Sequence, residues 1–390
     1  MKLIFRQTKF NRYSITALLS AVASKIDFVE IVVAEKIEEI LNATDEGFVA
    51  YSFMSFDLPW VSQEIKLLKS KGYTLLAGGP HATARPNECL KLGFDHVFTG
   101  DGEENLIKFL MGERRPIFDG INNRVDLNEY PPFSVELARF MPIEITRGCP
   151  FNCGYCETSL VAGRTVRHRS VEQIVYYCQL GMKKGRYVAR FITPNAFGYG
   201  SKDGVTPNVE TIESLLFNLR KIGMREVYFG TFPSDVRPES VNDEIMNVVK
   251  KYVDNRSIIV GAQSGSDRIL RLLNRGHTKD DVLNAAETIL NHGFVPHIDL
   301  IFGFPFETDE DREETVQFME KLVQMGCKIH AHSFLPLPGT SLESVGSAHL
   351  PDWLKKKLSK FASEGKLNGY WQKQEYMSRS LFSEMSHNPS

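Results

Sequence analysis

Over roughly the first 110 residues, short apolar runs alternate with segments of helical period. MKLIFRQ is followed by YSITALLSAVASKI, FVEIVVA by EKIEEILNAT, and GFVAYSFMSF by LPWVSQEIKLLKSK. YTLLAGGP comes next, and DHVFTGDGE leads into ENLIKFLMG. A strand that is apolar throughout must be covered on both faces, and helices between successive strands supply that cover. The alternation therefore predicts βαβ units and a parallel, Rossmann-like doubly wound sheet. In such sheets a ligand lies beyond the carboxyl ends of the strands. The polar and glycine-rich punctuation falls there: Ser52, Phe53, Met54 and Ser55, then Gly78, Gly79, Pro80 and His81, then Gly100, Asp101, Gly102 and Glu103. Glycines allow the backbone to approach a ligand closely. The spacing is not G-x-G-x-x-G, so a dinucleotide site is not supported.

A chain of 390 residues is too long for one ordinary core. With 42% hydrophobic and 24% charged residues, it has the make-up of a soluble globular protein. A net charge of −2 provides no global field for nucleic acid, so none is expected as a partner. The basic cluster Arg164, Arg167, His168 and Arg169 reads either as a solvated face or as a contact for a substrate phosphate or carboxylate. No apolar run approaches the ~20 residues that span a bilayer. Lys2, Arg6, Lys9 and Arg12 before SITALLSAVAS loosely mimic a secretory signal. However, KLIFRQ reads as a strand and the following segment as an amphipathic helix, and clustered thiols suit a reducing compartment. The expected location is the cytoplasm.

Half of the six cysteines fall in TRGCPFNCGYC, where Cys149, Cys153 and Cys156 are spaced C-x3-C-x2-C. Three soft thiolates at this spacing suit a metal. Zinc would want a fourth ligand nearby, but Cys89, Cys178 and Cys327 are isolated and read as small buried hydrophobes. A cluster held by three thiolates keeps one iron open for another ligand. After the cysteines the strand–helix alternation resumes with RYVARFITP, REVYFGTFP, SIIVGAQSGS, VPHIDLIFGFP and KIHAHSFLPLP. Counting the strand MPIEITRG before the cysteines, these make six.

The cysteine motif, with Tyr155 before its last cysteine, resembles the radical S-adenosylmethionine superfamily. AGGPHATARPNECLKLGFDHVFTGDGE resembles the cobalamin-binding domain that precedes many of its members. The resemblance implies an α/β chain in four parts. Residues 1–111 would form the Rossmann-like cobalamin-binding domain, 112–140 a linker, 141–340 a partial (β/α)6 barrel and 341–390 a helical extension. It implies a 4Fe–4S cluster on Cys149, Cys153 and Cys156, with S-adenosylmethionine on the open iron. Contacts to S-adenosylmethionine would come from Tyr155, Thr193, Asn195, Gln263, Ser264, Arg275, Ile301, Phe334 and Leu335. DLIFGFPFET matches the family's I-x-G-x-x-x-E turn, with Gly303 for close approach and Glu307 as a structural tie. The family often has an acidic or Gly-Gly-Glu sequence where this chain has Thr193-Pro194-Asn195. Cobalamin would contact Ser52, Phe53, Met54, Gly78, Gly79, Gly100, Gly102 and Glu103. RQTKFNRYS, after the first strand, lacks the D-x-H-x-x-G histidine, which implies a cobalt not ligated from this loop. Asp235 and Arg237 read equally as an ion pair or cap and as ligand contacts.

The leading expectation is a cobalamin-dependent methyltransferase acting on an unactivated carbon, served by an electron donor of flavodoxin or ferredoxin type. The alternatives are a radical cyclase or rearrangement enzyme of the same architecture and, remotely, a zinc-stabilised binding module. Either a small molecule or a protein could be the substrate. A tRNA methylthiotransferase would bring three further cluster cysteines, and only Cys89 precedes Cys149. The tail is expected to form one or two amphipathic helices anchored by Trp353, Tyr370 and Trp371, ending in a frayed HNPS.

Overall fold

The computed structural model describes residues 1–44 and 46–387, with side chains up to residue 383; of the HNPS end, residues 388–390 lie outside the described range. Two compact units result. One comprises Met1–Ile143 together with Glu157–Gly163, the other Glu144–Cys156 and the chain from Arg164 onward.

The first unit is the doubly wound sheet that the alternation demands. Its strands are Lys2–Arg6 (β1), Glu30–Ala34 (β2), Phe48–Ser52 (β3), Thr74–Gly78 (β4), His96–Gly100 (β5) and Ile117–Gly120 (β6). All pair in parallel, in the order β2-β1-β3-β4-β5-β6. Helices Arg12–Lys25 (α1), Ile37–Ala43 (α2), Leu58–Ser70 (α3), Gly79–Ala84 (α4), Pro86–Leu92 (α5) and Glu103–Leu110 (α6) connect them. Side chains alternate across the sheet and sort into two cores. Ile4, Val49, Tyr51, Leu75 and Val97 pack with Val61, Ile65 and Leu68 of α3. Leu3, Phe5, Ala50, Leu76 and Phe98 pack with Ile15, Leu19 and Val22 of α1 and Phe109 of α6. The signal-like N-terminus is thus a central strand followed by a half-buried helix. Among the described residues no helix is long and apolar enough to cross a membrane.

The stretch 112–140 is not wholly irregular, because β6 adds an edge strand beside β5. Only four residues long and flanked by Pro116 and the Asn-rich turn that Asp119 caps, it offers too few residues for a visible period. A further helix of this unit, Thr158–Ala162 (α7), lies near α4 and β5. Arg124 anchors it by donating to the Leu160 and Val161 carbonyls while pairing with buried Asp101.

The second unit opens at Glu144, the second residue of Ile143–Glu144 (β7), and continues with Thr146–Arg147 (β8) and Arg167–His168 (β9). Then follow Val171–Met182 (α8), Val188–Ala189 (β10), Phe191–Ile192 (β11), Val209–Lys221 (α9), Glu226–Val227 (β12), Asp243–Tyr252 (α10), Ser257–Gln263 (β13), Asp267–Leu272 (α11) and Lys279–Asn291 (α12). Val295–Phe302 (β14), Asp309–Met325 (α13), Lys328–Ser333 (β15), Asp352–Ser363 (α14), Leu367–Asn368 (β16) and Trp371–His387 (α15) complete it. Side-chain caps start many of the helices. Ser170, Asn208 and Asn242 accept from the first turns of α8, α9 and α10, and capping boxes at Thr278/Asp281 and Thr308/Asp311 open α12 and α13.

Only β13, β14, β15 and β16 form an extended parallel sheet; the earlier barrel strands are two-residue ladders. Irregular backbone bonds continue the wall, with Ile145 donating to the Ile192 carbonyl and Ile259 to that of Gly230. RYVARFITP is split at Arg190 into β10 and β11, and REVYFGTFP is regular only at β12. The tail departs from expectation in two ways. It contributes a strand, β16, beside β15, and only Trp371 is buried, since Trp353 is 40% and Tyr370 70% exposed.

Candidate functional site

The three motif cysteines sit on one loop after β8, and all are free thiols. The turn into that loop requires glycine. Gly148 has φ +97°, and a Cβ there would stand 2.1 Å from the Thr165 carbonyl oxygen. Pairing of β8 with β9 closes the hairpin behind it, Thr146 opposite His168 and Arg147 opposite Arg167. Further along, Gly154 donates to the Leu273 carbonyl and accepts from Leu342 N, and Asn274 donates to the Asn152 carbonyl. The cysteine loop is thereby stapled to the end of α11 and to the turn before α14.

Two arginines face Cys153, which is buried. Arg275 Nη1 donates to its Sγ at 3.4 Å and to the Tyr155 hydroxyl at 3.3 Å, while Nη2 donates to the Gly261 carbonyl at 2.6 Å. Arg237 Nη1 reaches the same sulfur at 3.9 Å, and its guanidinium lies 3.4 Å from the centre of the Phe151 ring. Glu239 pairs with Arg237 at 2.6 Å and faces His277 Nδ1 at 3.4 Å. Burial pushes the Glu239 carboxyl up, but His277 and Arg237 outweigh it and hold the group well below the usual range. Burial also pushes the Cys149 thiol up. Arg237 Nη2 and Arg275 Nε are buried with no hydrogen-bond partner. Three thiols on one loop, with buried cationic nitrogens against them, fit an anionic iron–sulfur group, whose ligands are thiolates.

The structure distributes the other expected residues unevenly. Tyr155, Ile301 and Phe334 come together in one apolar cluster with Phe304 and Leu342, as a stacking site for an adenine would need; Leu335 follows, half-buried. Gln263 ends β13 with φ +78°, at a register shift against β14. Gly261 beneath it leaves room, because a Cβ there would stand 2.8 Å from Gln263 Nε2. Ser264 is instead fully buried against Thr315 of α13, and its oxygen accepts from Ser266 N. Thr193 and Asn195 close a buried turn on each other. Asn195 Oδ1 accepts from Arg237 N and Ser240 Oγ, so this side chain ties neighbouring loops of the barrel together. Glu307 is the tie its motif implies, accepting from Gly303 N at 3.0 Å.

In the first unit, the order β2-β1-β3 puts the switch point between β1 and β3. Ser52, Phe53 and Met54 leave β3 there, and Asn11 and Ser14 after β1 hydrogen-bond Ser52. Asn11 and Ser14 carried no motif, and only the sheet order reveals them. The glycines are largely occupied by the chain itself. A Cβ on Gly79 would stand 2.7 Å from Phe53 N, one on Gly100 2.5 Å from Gly120, and one on Gly102 3.0 Å from Leu18. Gly78 makes only ordinary contacts, and Glu103 is buried at the start of α6. His81 is also buried, with Nδ1 2.9 Å from Ser55 Oγ. Of the basic cluster, Arg169 is 2% exposed, donates to the Glu144 carbonyl and lies over Tyr177, so it supports the fold.

The inner face of the barrel holds a polar group with no counterpart among the expected residues. Asp299 and Ile301 of β14 are in register with His330 and His332 of β15. Asp299 Oδ1 and His330 Nδ1 are 3.1 Å apart, and the two histidine rings 4.4 Å. Burial and the charge of Asp299 hold the Asp235 carboxyl at about 7. In sequence, DLIF and KIHAHS look like any buried strands, and only the register brings these groups together.

Residues 143–319 match the family model of the Radical SAM superfamily. A tRNA-2-methylthio-N(6)-dimethylallyladenosine synthase of Thermotoga petrophila is 29% identical over 280 residues, covering 67% of this chain and 58% of that protein. The chain therefore spans well under two thirds of that relative's length. Among solved structures, the radical S-adenosylmethionine methyltransferase TsrM from Kitasatospora setae, with cobalamin and a 4Fe–4S cluster bound, superposes with a TM-score of 0.65 at 13% identity. That match covers 88% of this chain and 77% of TsrM. The cobalamin-dependent S-adenosylmethionine radical enzyme OxsB, with aqua-cobalamin and S-adenosylmethionine bound, also gives 0.65, at 16% identity, covering 82% of this chain and 51% of OxsB. At these identities the likeness is one of fold, and it takes in both the sheet unit and the barrel. With its three-cysteine loop on a partial barrel and the family match over 143–319, the chain carries a domain of the Radical SAM superfamily.

Proposed function

We propose that this protein is a cobalamin-dependent radical S-adenosylmethionine enzyme that methylates an unactivated carbon. The observation that carries the reading is the presence, in one chain, of a three-thiol loop and a switch-point sheet of the kind found in structures solved with cobalamin. When bound, the cluster would supply the electron that splits the sulfonium, and cobalamin the methyl group that is transferred.

The chain's own residues then have distinct tasks. Cys149, Cys153 and Cys156 would hold the cluster, with Arg237 and Arg275 offsetting thiolate charge at Cys153. Tyr155, Ile301, Phe334 and the backbone at Leu335 would receive the adenine, and Gln263 the ribose. Ser264, Thr193 and Asn195 would act through the backbone they fix, since their side chains already bond within the protein. Ser52, Phe53, Met54 and Gly79 would form the cobalamin loop at the switch point, with Gly78, Gly100, Gly102 and Glu103 on the adjoining strand ends. A flavodoxin- or ferredoxin-type donor would deliver the electron.

A methylthiotransferase reading, suggested by the Thermotoga relative, needs a second set of cysteines. Cys89, the one cysteine ahead of the loop, is fully buried in the α5 core and alone there. The test is anaerobic reconstitution of the full chain with iron, sulfide and hydroxocobalamin. Retained corrin absorbance, with formation of both 5′-deoxyadenosine and S-adenosylhomocysteine, supports the proposal. Deoxyadenosine without corrin leaves a radical enzyme of another kind, and the absence of both refutes the reading.

A further inference from the structure

We propose that the inner face of the barrel is a mononuclear site for a divalent first-row transition-metal ion, held by Asp299, His330 and His332, with Asp235 nearby as an outer carboxyl. One ligand atom from each of the first three lies within 4.8 Å of the others. Their placement follows from parallel register. Asp299 pairs with His330, and His332 stands two residues along the same strand, so both imidazoles and the carboxylate leave the sheet on one side. Two imidazoles with one carboxylate suit zinc, iron, cobalt or manganese far better than calcium or magnesium.

A simple hydrogen-bonded cluster explains part of the arrangement. Asp299 accepts from His330, and Gln374 of α15 bonds His332 Nδ1 at 3.3 Å while its Oε1 accepts from Ser333 N. It does not explain Asp235. That carboxylate is close enough to Asp299 and His330 to feel both charges, yet its Oδ1 is buried without a hydrogen-bond partner. Among the described residues neither Asp235 nor Asp299 has a lysine or arginine hydrogen-bond or ion-pair partner, and Asp299 pairs instead with His330. A buried carboxyl oxygen left without a partner is costly, and a cation held by the neighbouring Asp299, His330 and His332 would offset that cost. An ion would replace the His330–Asp299 and His332–Gln374 contacts, drawing the ligand atoms inward by about an ångström to bonds of ~2.0–2.2 Å. Gln374 would then lie beside the site as an outer partner, which ties the C-terminal helix to it.

The site uses no cysteine and does not depend on the reaction proposed above. Its test is metal analysis of full-length protein equilibrated anaerobically with cobalt(II) alone, followed by desalting. The expected result is one cobalt per chain with visible d–d bands of nitrogen–oxygen ligation, retained in Cys153→Ala. Affinity should fall at least tenfold in Asp299→Asn and in His332→Ala. A thiolate-to-cobalt charge-transfer band that disappears in Cys153→Ala would place the ion on the cysteine loop and overturn the proposal, as would no stoichiometric cobalt in the parent protein. If either lumen variant misfolds, the parent spectrum and the Cys153→Ala protein still decide the question.

Discussion

At the scale of single residues, the cysteine loop depends on a glycine as much as on its sulfurs. Gly148 combines a left-handed φ with a Cβ position that lies inside van der Waals contact of Thr165 O. Gly148→Ala should therefore open the β8–β9 hairpin and reduce the iron retained after reconstitution to a small fraction of the parent value, as read by iron and sulfide analysis. Glu307 gives a second expectation. Burial raises its carboxyl from 4.5 to about 7 against the opposing pull of Arg312 and Gly303 N. The folded form thus binds its proton more tightly than the unfolded chain does. The stabilisation is complete below pH ~4.5 and is lost as pH rises through ~7, an upper bound of about 3 kcal/mol. Glu307→Gln keeps an acceptor for Gly303 N, so the fall in melting temperature between pH 5 and pH 8 should be visibly smaller than in the parent. The cysteines and the G-x-x-x-E turn were legible in sequence because spacing alone carries them. Asp299, His330 and His332 were not, because their meeting depends on the register of two strands whose paired residues lie 31 positions apart.

At the scale of elements, long strands could be read from the sequence, and short strands could not. In β13, β14 and β15 buried side chains recur along five or more residues. By contrast, β10, β11 and β12 have two residues each and are held by neighbours far away in the chain. β16 is also missed: KLNGY lies in the tail expected to form one or two amphipathic helices, and its strand exists only because the edge of β15 offers partners at Ile329 and His330. The helix after it is anchored by Trp371, which is 5% exposed, while Ser333 donates to the Trp371 carbonyl and Ala348 N to Ser378 Oγ. Trp371→Ala should cost about 3–5 kcal/mol, a typical value for removing a large buried aromatic. A lower urea midpoint by far-ultraviolet circular dichroism is the corresponding measurement. An unchanged midpoint would mean that α15 contributes little to the unit.

For the whole molecule, the fold class was legible because alternation of strand and helix over long stretches admits few architectures. The place where one unit stops was not legible, because the α7 segment bears no mark of belonging with α4, β5 and Arg124. A fragment ending at residue 111 would remove β6 and leave β5 as an unprotected edge with Phe98 uncovered by Phe118. Residues 1–111 should therefore aggregate or remain unfolded, whereas residues 1–143, which keep β6, should be soluble and show cooperative melting. Gel filtration with thermal circular dichroism distinguishes the two cases. The polypeptide passes from one unit to the other at 143/144, at 156/157 and again at 163/164. No single cut releases either unit whole, since a cut after 143 leaves residues 157–163 behind, and recombination that exchanged one complete unit for a foreign counterpart would need three breakpoints at once. Such threading makes the pair inherited together, so variation can accumulate on either side of the cysteines but not easily exchange them.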